Sequence, residues 1–408
     1  MKISGVKKTL LLLKMGRELR KKMGKDASFT KFLRRTMRLY SFYRKESIIK
    51  HGDLYILSTF MPPYPGKAFE RMVEANKATV EFVKGDAHLP IPVSTYISVT
   101  NRCMCHCYYC SNSLNRSGKE LSGEEIKRII EKIQDYGVPV IGFTGGEPLL
   151  RNDIVDIVSH VDERSSTLLF TTGVGLDEKM AHELKNAGLF GVVISLDSHV
   201  EEEHNASKGC RVFSSAMDAI KNARKAGLYV ALNTIPEEKM LHTGKIWEFL
   251  EFAASIGVEE VRILDPIPTG RLLGRNIWED KNIEMLRDVH IKGNKIRRLP
   301  KISVLSYIEG EDVTGCGAGG IRHMYVDASG NLHPCDMVPL SFGNILEDGL
   351  ERCMERMASV FRRPHERCIM RKYWREIEEL VKNGEEGEKL REIMDMPEKM
   401  PALFEMMG

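Results

Sequence analysis

No apolar run in this 408-residue sequence approaches the roughly 20 residues that a bilayer-crossing helix needs; the longest near the start is Leu10 to Leu13. Low-complexity tracts are absent, and no secretory signal is evident. With 42% hydrophobic and 29% charged residues, the chain can bury two or three cores and is not disordered. Cysteine is sparse too, nine residues in all. Small secreted domains scatter many cysteines as a disulfide framework, so that class is excluded, and a reducing, cytoplasmic compartment is expected.

Net charge is small, but the charges are unevenly placed. The net charge is +3, yet residues 1–50 hold sixteen Lys or Arg against Glu18, Asp26 and Glu46, which leaves the rest of the chain acidic. Apolar residues from Leu10 and Leu13 to Tyr40, Phe42 and Tyr43 interleave with those cations. A solvated helical face packed on the main domain explains them, as does an interfacial segment drawn to the anionic inner face of a membrane. Tyr40, Phe42 and Tyr43 beside Arg34, Arg35 and Arg38 also have the composition of a single-strand binder, but the acidic remainder argues against nucleic acid.

From residue 95 onward β-branched runs alternate with helix-length amphipathic stretches. Strands are expected near 95–99, 138–143, 167–172, 191–197, 229–233 and 260–264. Ser122 followed by Glu125 makes a capping box, and Gly137, Gly188, Gly227 and Gly257 each precede a strand, where a helix must end. Six strand–helix units predict an α/β fold with a parallel sheet, its ligands at the carboxyl ends of the strands. Six fall short of the eight in a closed barrel. Three regions are expected: a basic, mainly helical segment over 1–90, the α/β core over 91–300, and a cysteine-bearing region with an acidic helical tail over 301–408.

"RCMCHCYYC" follows the first strand, on the ligand-facing edge. Cys103, Cys107 and Cys110 have the spacing C-x3-C-x2-C, and three thiolates on one loop can hold three irons of a [4Fe-4S] cube while the fourth stays open. Here the chain resembles the radical S-adenosylmethionine (SAM) superfamily, over roughly residues 93–370. The resemblance implies a partial (β/α)6 TIM-like barrel whose cluster binds the SAM amino and carboxylate groups. It places Tyr109 beside the adenine, and the backbone of Gly145, Gly146 and Pro148 with the Glu147 carboxylate at the amino group. Thr172, Ser195, Lys208 and Asn233 are the further SAM contacts it implies, with Asp197 and Arg262 nearby. Thr172 stands where relatives commonly carry Asn, and Lys208 where many place Arg, so Lys208 can act only as a point charge. Cys105 falls outside the motif and reads as a spare thiol of the loop, with an occasional ligand or redox role as the alternative, and Cys210 reads as a free thiol. "PIPTGR", Pro266 to Arg271, resembles a segment common at the barrel end in relatives.

Past residue 300, Cys316 and "GNLHPC", ending at Cys335, resemble the opening of the SPASM and twitch domains that carry an auxiliary iron–sulfur cluster. Cys368 stands at the usual closing position. Cys353 is either a fourth ligand or a buried structural thiol. If it is structural, the fourth site is open to His333, His365, water or substrate. The implied chemistry is reductive cleavage of SAM, fed by a donor such as flavodoxin or ferredoxin, and hydrogen abstraction from the substrate. An amphiphilic or anionic, lipid-like substrate is the leading expectation and a ribosomally made peptide the alternative; a metal-storing scaffold without turnover would lack the Gly-Gly-Glu-Pro motif. A peptide-recognition domain ahead of the barrel would show three alternating strands.

Overall fold

In the computed structural model, which describes residues 2–3, 5–22, 46–113, 119–275, 278–395, 399–402 and 404, the β-branched runs become strands. Ahead of them lie β1 (Lys2–Ile3), β2 (Ile48–His51) and β3 (Leu54–Ile56). The core strands are β4 (Ser94–Thr100), β5 (Val140–Gly145), β6 (Ser166–Thr171), β7 (Gly191–Ser195), β8 (Tyr229–Thr234) and β9 (Glu260–Ile263). These six match the expected positions. Three short strands follow: β10 (Lys301–Val304), β11 (His323–Val326) and β12 (Leu332–His333).

One nine-stranded sheet runs β10-β9-β8-β7-β6-β5-β4-β11-β12, parallel throughout except for the β11–β12 pair. Its edges do not meet, so the barrel is partial. The region after residue 300 therefore extends both edges of the core sheet, which the sequence did not suggest because β10 and β12 are only four and two residues long. Helices cover the outside by burying one stripe each. In the helix Gly123–Tyr136, Ile126, Ile129, Ile130 and Ile133 are fully buried. Each contributes about 1.5–3 kcal/mol on burial. Ser122 and Glu125 form the expected capping box, and Gly137, at φ 112°, ends the helix.

The N-terminal region is not purely helical. Helices Gly5–Lys22 and Lys67–Lys84 flank an antiparallel sheet, β1-β2-β3, whose strands are too short to leave a period in the sequence. Ile49 and Ile56 of that sheet pack among Val140, Leu168, Val193, Tyr229 and Ala231 at the amino ends of the barrel strands. The hairpin thus closes the end opposite the ligand edge. Residues 23–45, with Tyr40, Phe42, Tyr43 and the cations beside them, lie outside the described residues. No described helix is long and apolar enough to cross a membrane.

Glu46 anchors this closure. Its carboxylate accepts from His290 Nε2 at 2.8 Å and Lys301 Nζ at 2.9 Å, and both donors are almost wholly buried. Burial opposes the charge on Glu46, but Lys301 and His290 outweigh it and hold the carboxyl well below its usual range; burial likewise lowers His290. Both shifts contribute stability above the unfolded-state values and lose it as pH falls. Glu46→Ala leaves Lys301 buried without its partner and is expected to cost about 3–5 kcal/mol near neutral pH in urea unfolding. Because Glu46 raises His290 against burial, its removal lowers that imidazole further, and the variant should lose more stability than the native protein does between about pH 7 and pH 5.

Candidate active site

Residues 103–110 have no regular secondary structure, and their placement comes from neighbours. His106 N–H donates to Lys208 O at 2.9 Å and Tyr108 N–H to Ser207 O at 3.3 Å. From the other side Arg271 donates to Cys107 O at 2.9 Å through Nη1 and to Cys110 O at 3.1 Å through its amide. Gly270, at φ 54°, lies so close that a Cβ there would meet Cys110 O at 2.0 Å. Only glycine fits. Cys105 and Cys210 are joined as a disulfide, with Cα atoms 5.2 Å apart, which corrects the expectation of two free thiols. Their separation of 105 residues hides the pairing from sequence reasoning.

Cys103, Cys107 and Cys110 are half-buried, lie outside any disulfide and line one cavity of about 200 Å³. Burial pushes the Cys107 thiol up to about 11, with Lys208 opposing, so deprotonation there calls for a bound metal. Gly145, Gly146, Thr172, Ser195, Lys208, Asn233 and Tyr109 line the same cavity, as does Arg262. Gly146 abuts the loop so closely that a Cβ would sit 2.0 Å from Arg102 O. The Asn233 Oδ1 atom is buried without a hydrogen-bond partner among the described residues. No three His, Cys, Asp or Glu side chains among the described residues surround one point as a single metal ion requires. An iron–sulfur cube makes a different demand, one thiolate per iron corner, and this loop with its open side fits it.

Three expected ligand contacts are spent inside the protein. Glu147 is fully buried, and neither oxygen reaches the cavity. One accepts from Thr171 Oγ1 at 2.7 Å and the Leu149 amide at 3.2 Å; the other accepts from the Thr172 amide at 2.7 Å and Thr172 Oγ1 at 2.5 Å. Burial raises its carboxyl despite these bonds. Pro148 follows it as the first residue of a single helical turn, Pro148–Leu150, and is buried. Asp197 gathers the others: its Oδ2 accepts from Tyr109 Oη at 2.6 Å and Ser207 Oγ at 2.7 Å, and pairs with Lys208 Nζ at 3.0 Å. Burial opposes that charge, but Lys208, Tyr109 and Ser207 leave the carboxyl lowered. Tyr109 and Lys208 therefore line the cavity already tied to Asp197, a hub whose importance the pentapeptide "ISLDS" alone does not disclose.

A second group lies beside the first. Cys316 and Cys368 have sulfurs within hydrogen-bonding reach, and Cys335 is their near neighbour. Cys353 does not join them. It is buried in the helix Leu350–Val360, where its charged neighbours are Asp348, Arg356 and Arg352. His333 bonds Asp327 through Nε2 at 3.2 Å, and the His365 carbonyl accepts from the Cys316 amide at 2.7 Å. Glu309, which the sequence reading missed, is pushed up to about 8 by burial and by Cys368, Asp336 and Asp265. Thr269 Oγ1, in the segment that braces the cysteine loop, donates to Met337 O at 2.6 Å and so couples the two groups.

Residues 97–253 match the family model described as the Radical SAM superfamily. They are a radical SAM domain. That family uses a [4Fe-4S] cluster and SAM. The chain is 32% identical over 184 residues to the PqqA peptide cyclase of Streptomyces rochei, covering 44% of this chain and 49% of that protein. It is 31% identical over 177 residues to the probable GTP 3',8-cyclase of Sulfolobus acidocaldarius, covering 43% and 56%. The chain thus spans about half the length of the curated relatives it matches. Among solved structures, Streptococcus suis SuiB bound to precursor peptide SuiA superposes with TM-score 0.55 at 16% identity, over 68% of this chain and 67% of that one. Polyhistidine-tagged anSMEcpe with bound AdoMet gives 0.52 at 19%, over 65% and 80%. These two share the fold.

The hydrogen-bond pattern of Glu147 makes it a positioning residue. Glu147→Ala leaves two threonine hydroxyls and two amides without a buried partner and should lower stability in urea unfolding by more than about 2 kcal/mol. Native stability with weakened SAM affinity would place its side chain on the ligand instead.

Proposed function

We propose that this protein is a radical SAM enzyme acting on a ribosomally made peptide in the cytoplasm. The observation that carries the reading is the shape of the site. The inner cavity at Cys103, Cys107 and Cys110 meets, at Asp265 and Ile267, an outer cleft of about 970 Å³. Charged side chains line that cleft, among them Asp280, Glu284, Arg287, Arg367 and Lys372. Such a lining suits an extended polypeptide with one side chain reaching inward, and not a lipid tail. The N-terminal hairpin supports the same choice: its Ile49 and Ile56 pack at the closed end of the barrel, away from the cleft. The name of the Streptomyces relative, a peptide cyclase, agrees, whereas that of the Sulfolobus relative points to a nucleotide.

The bound cluster and SAM, fed by a donor such as flavodoxin or ferredoxin, supply a 5'-deoxyadenosyl radical that takes a hydrogen atom from a substrate carbon. The protein positions both reactants. Gly145 brings its backbone against Thr100 and Gly146 against Arg102 at the start of the cysteine loop, and Ser195 and Asn233 offer polar atoms to SAM. Arg262 lies on the cavity wall, only 2% exposed, between the rings of Phe60 and Phe170. Nη2 donates to Tyr96 Oη at 3.2 Å, while Nε and Nη1 have no hydrogen-bond partner among the described residues. A buried cation so placed calls for an anion, and a carboxylate of the peptide is the group it would hold.

Anaerobic incubation of the reconstituted protein with SAM, a reductant and synthetic peptides matching small reading frames beside its gene tests this. One peptide should change mass as 5'-deoxyadenosine forms. Arg262→Met should then lower kcat/KM for that peptide about 10- to 100-fold, mostly through KM. Turnover of GTP with every peptide unchanged would refute the reading.

A further inference from the structure

Cys316, Cys335 and Cys368 leave one corner of a four-iron cube without a thiolate. Other nearby donors are engaged or turned away, His365 among them, whose ring faces Phe361 with centroids 6.4 Å apart. Cys353 is placed among Asp348, Arg352 and Arg356, apart from the other three. His333 turns its ring to Tyr325, with centroids 5.8 Å apart, and bonds Asp327. Asp265 is held by Arg371 Nε at 3.0 Å, and Asp336 faces the barrel cavity, 3.7 Å from His323.

Glu309 is differently placed. Strand β10 ends at the ligand edge and passes into the short helix Leu305–Ile308, which Glu309 closes with its amide on Leu305 O at 2.8 Å. Its side chain shares a cleft wall with Cys368. Its Oε1 lies 3.2 Å from where a Cβ of Gly317 would stand, beside the residue next to Cys316, and the Gly317 amide donates to it. The carboxylate bears electrostatically on all three thiols. Glycine at 317 leaves the room for this approach.

We propose that Glu309 is the fourth protein ligand of the auxiliary cluster, binding through its carboxylate the iron that Cys316, Cys335 and Cys368 do not hold. This rests on reading those three cysteines as cluster ligands. Oxygen is a harder donor than thiolate, so one iron of the four becomes distinct from the other three. The auxiliary centre is then closed to substrate by the chain itself, and its electron-transfer role is favoured over direct grip on the product.

The full-length Cys103→Ala/Cys107→Ala/Cys110→Ala variant, reconstituted anaerobically with iron and sulfide, isolates the centre for Mössbauer spectroscopy. The expected spectrum has one iron in four with non-thiolate parameters. Adding Glu309→Cys should make all four thiolate-like, and adding Glu309→Ala should remove about one iron in four and give the paramagnetic signal of an oxidised three-iron cluster. The same spectra on the chain with the native loop guard against misfolding of the triple variant. Four irons with an unchanged spectrum in Glu309→Ala, or the loss appearing in His333→Ala instead, would overturn the assignment while leaving the three cysteines in place. No iron at all in the triple variant would overturn the cluster reading and the ligand with it.

Discussion

Everything at the candidate site depends on the loop from Cys103 to Cys110 being pinned from outside. It has no ladder of its own, and its thiols are useful only if they stay apart and face one cavity. Backbone contacts from Ser207 and Lys208 fix one flank, Arg271 and Gly270 the other, and Tyr325 Oη donates to Asn112 Oδ1 at 3.1 Å just past it. These braces use main-chain atoms or side chains outside the thiol set, so none of them engages the three sulfurs. Side-chain restraint is added where the backbone leaves off, at Tyr109 on Asp197 and at the Cys105–Cys210 link.

The braces also order the charges. Asp197 neutralises Lys208 inside the barrel, Asp265 neutralises Arg371 between the two cavities, and Glu46 neutralises Lys301 at the closed end. The last two pairs tie distant parts of the chain, and none of the three serves as an isolated surface bridge, whose worth would be about 0–1 kcal/mol. Against this background Arg262 stands out as a buried cation without a carboxylate. The N-terminal hairpin contributes to that environment, since Phe60 supplies one of the rings that face the guanidinium.

The barrel was legible because its strands and helices repeat with clean periods, and Ile126, Ile129, Ile130 and Ile133 show why: the stripe that packs is the stripe that can be read. The cysteine loop was legible from spacing and resemblance. Contacts between residues far apart in the chain were not. The roles of Glu147, Tyr109 and Lys208 turned on which partner each side chain meets, Thr172 or Asp197, and spacing carries no such information. Glu309 sits in an unremarkable "YIEGED" and acquires its place only when β10 joins the sheet edge. The strands β1 to β3 escaped notice for the opposite reason, being too short to generate a period at all.

The central claim is that Cys103, Cys107 and Cys110 together hold the cluster that acts on SAM. The most direct measurement is 5'-deoxyadenosine formed by anaerobically reconstituted, reduced protein, compared with the Cys107→Ala variant at matched protein folding. The account predicts formation by the native protein and none above background in the variant. Equal formation by both, or none by a native protein that carries its full iron, would contradict it.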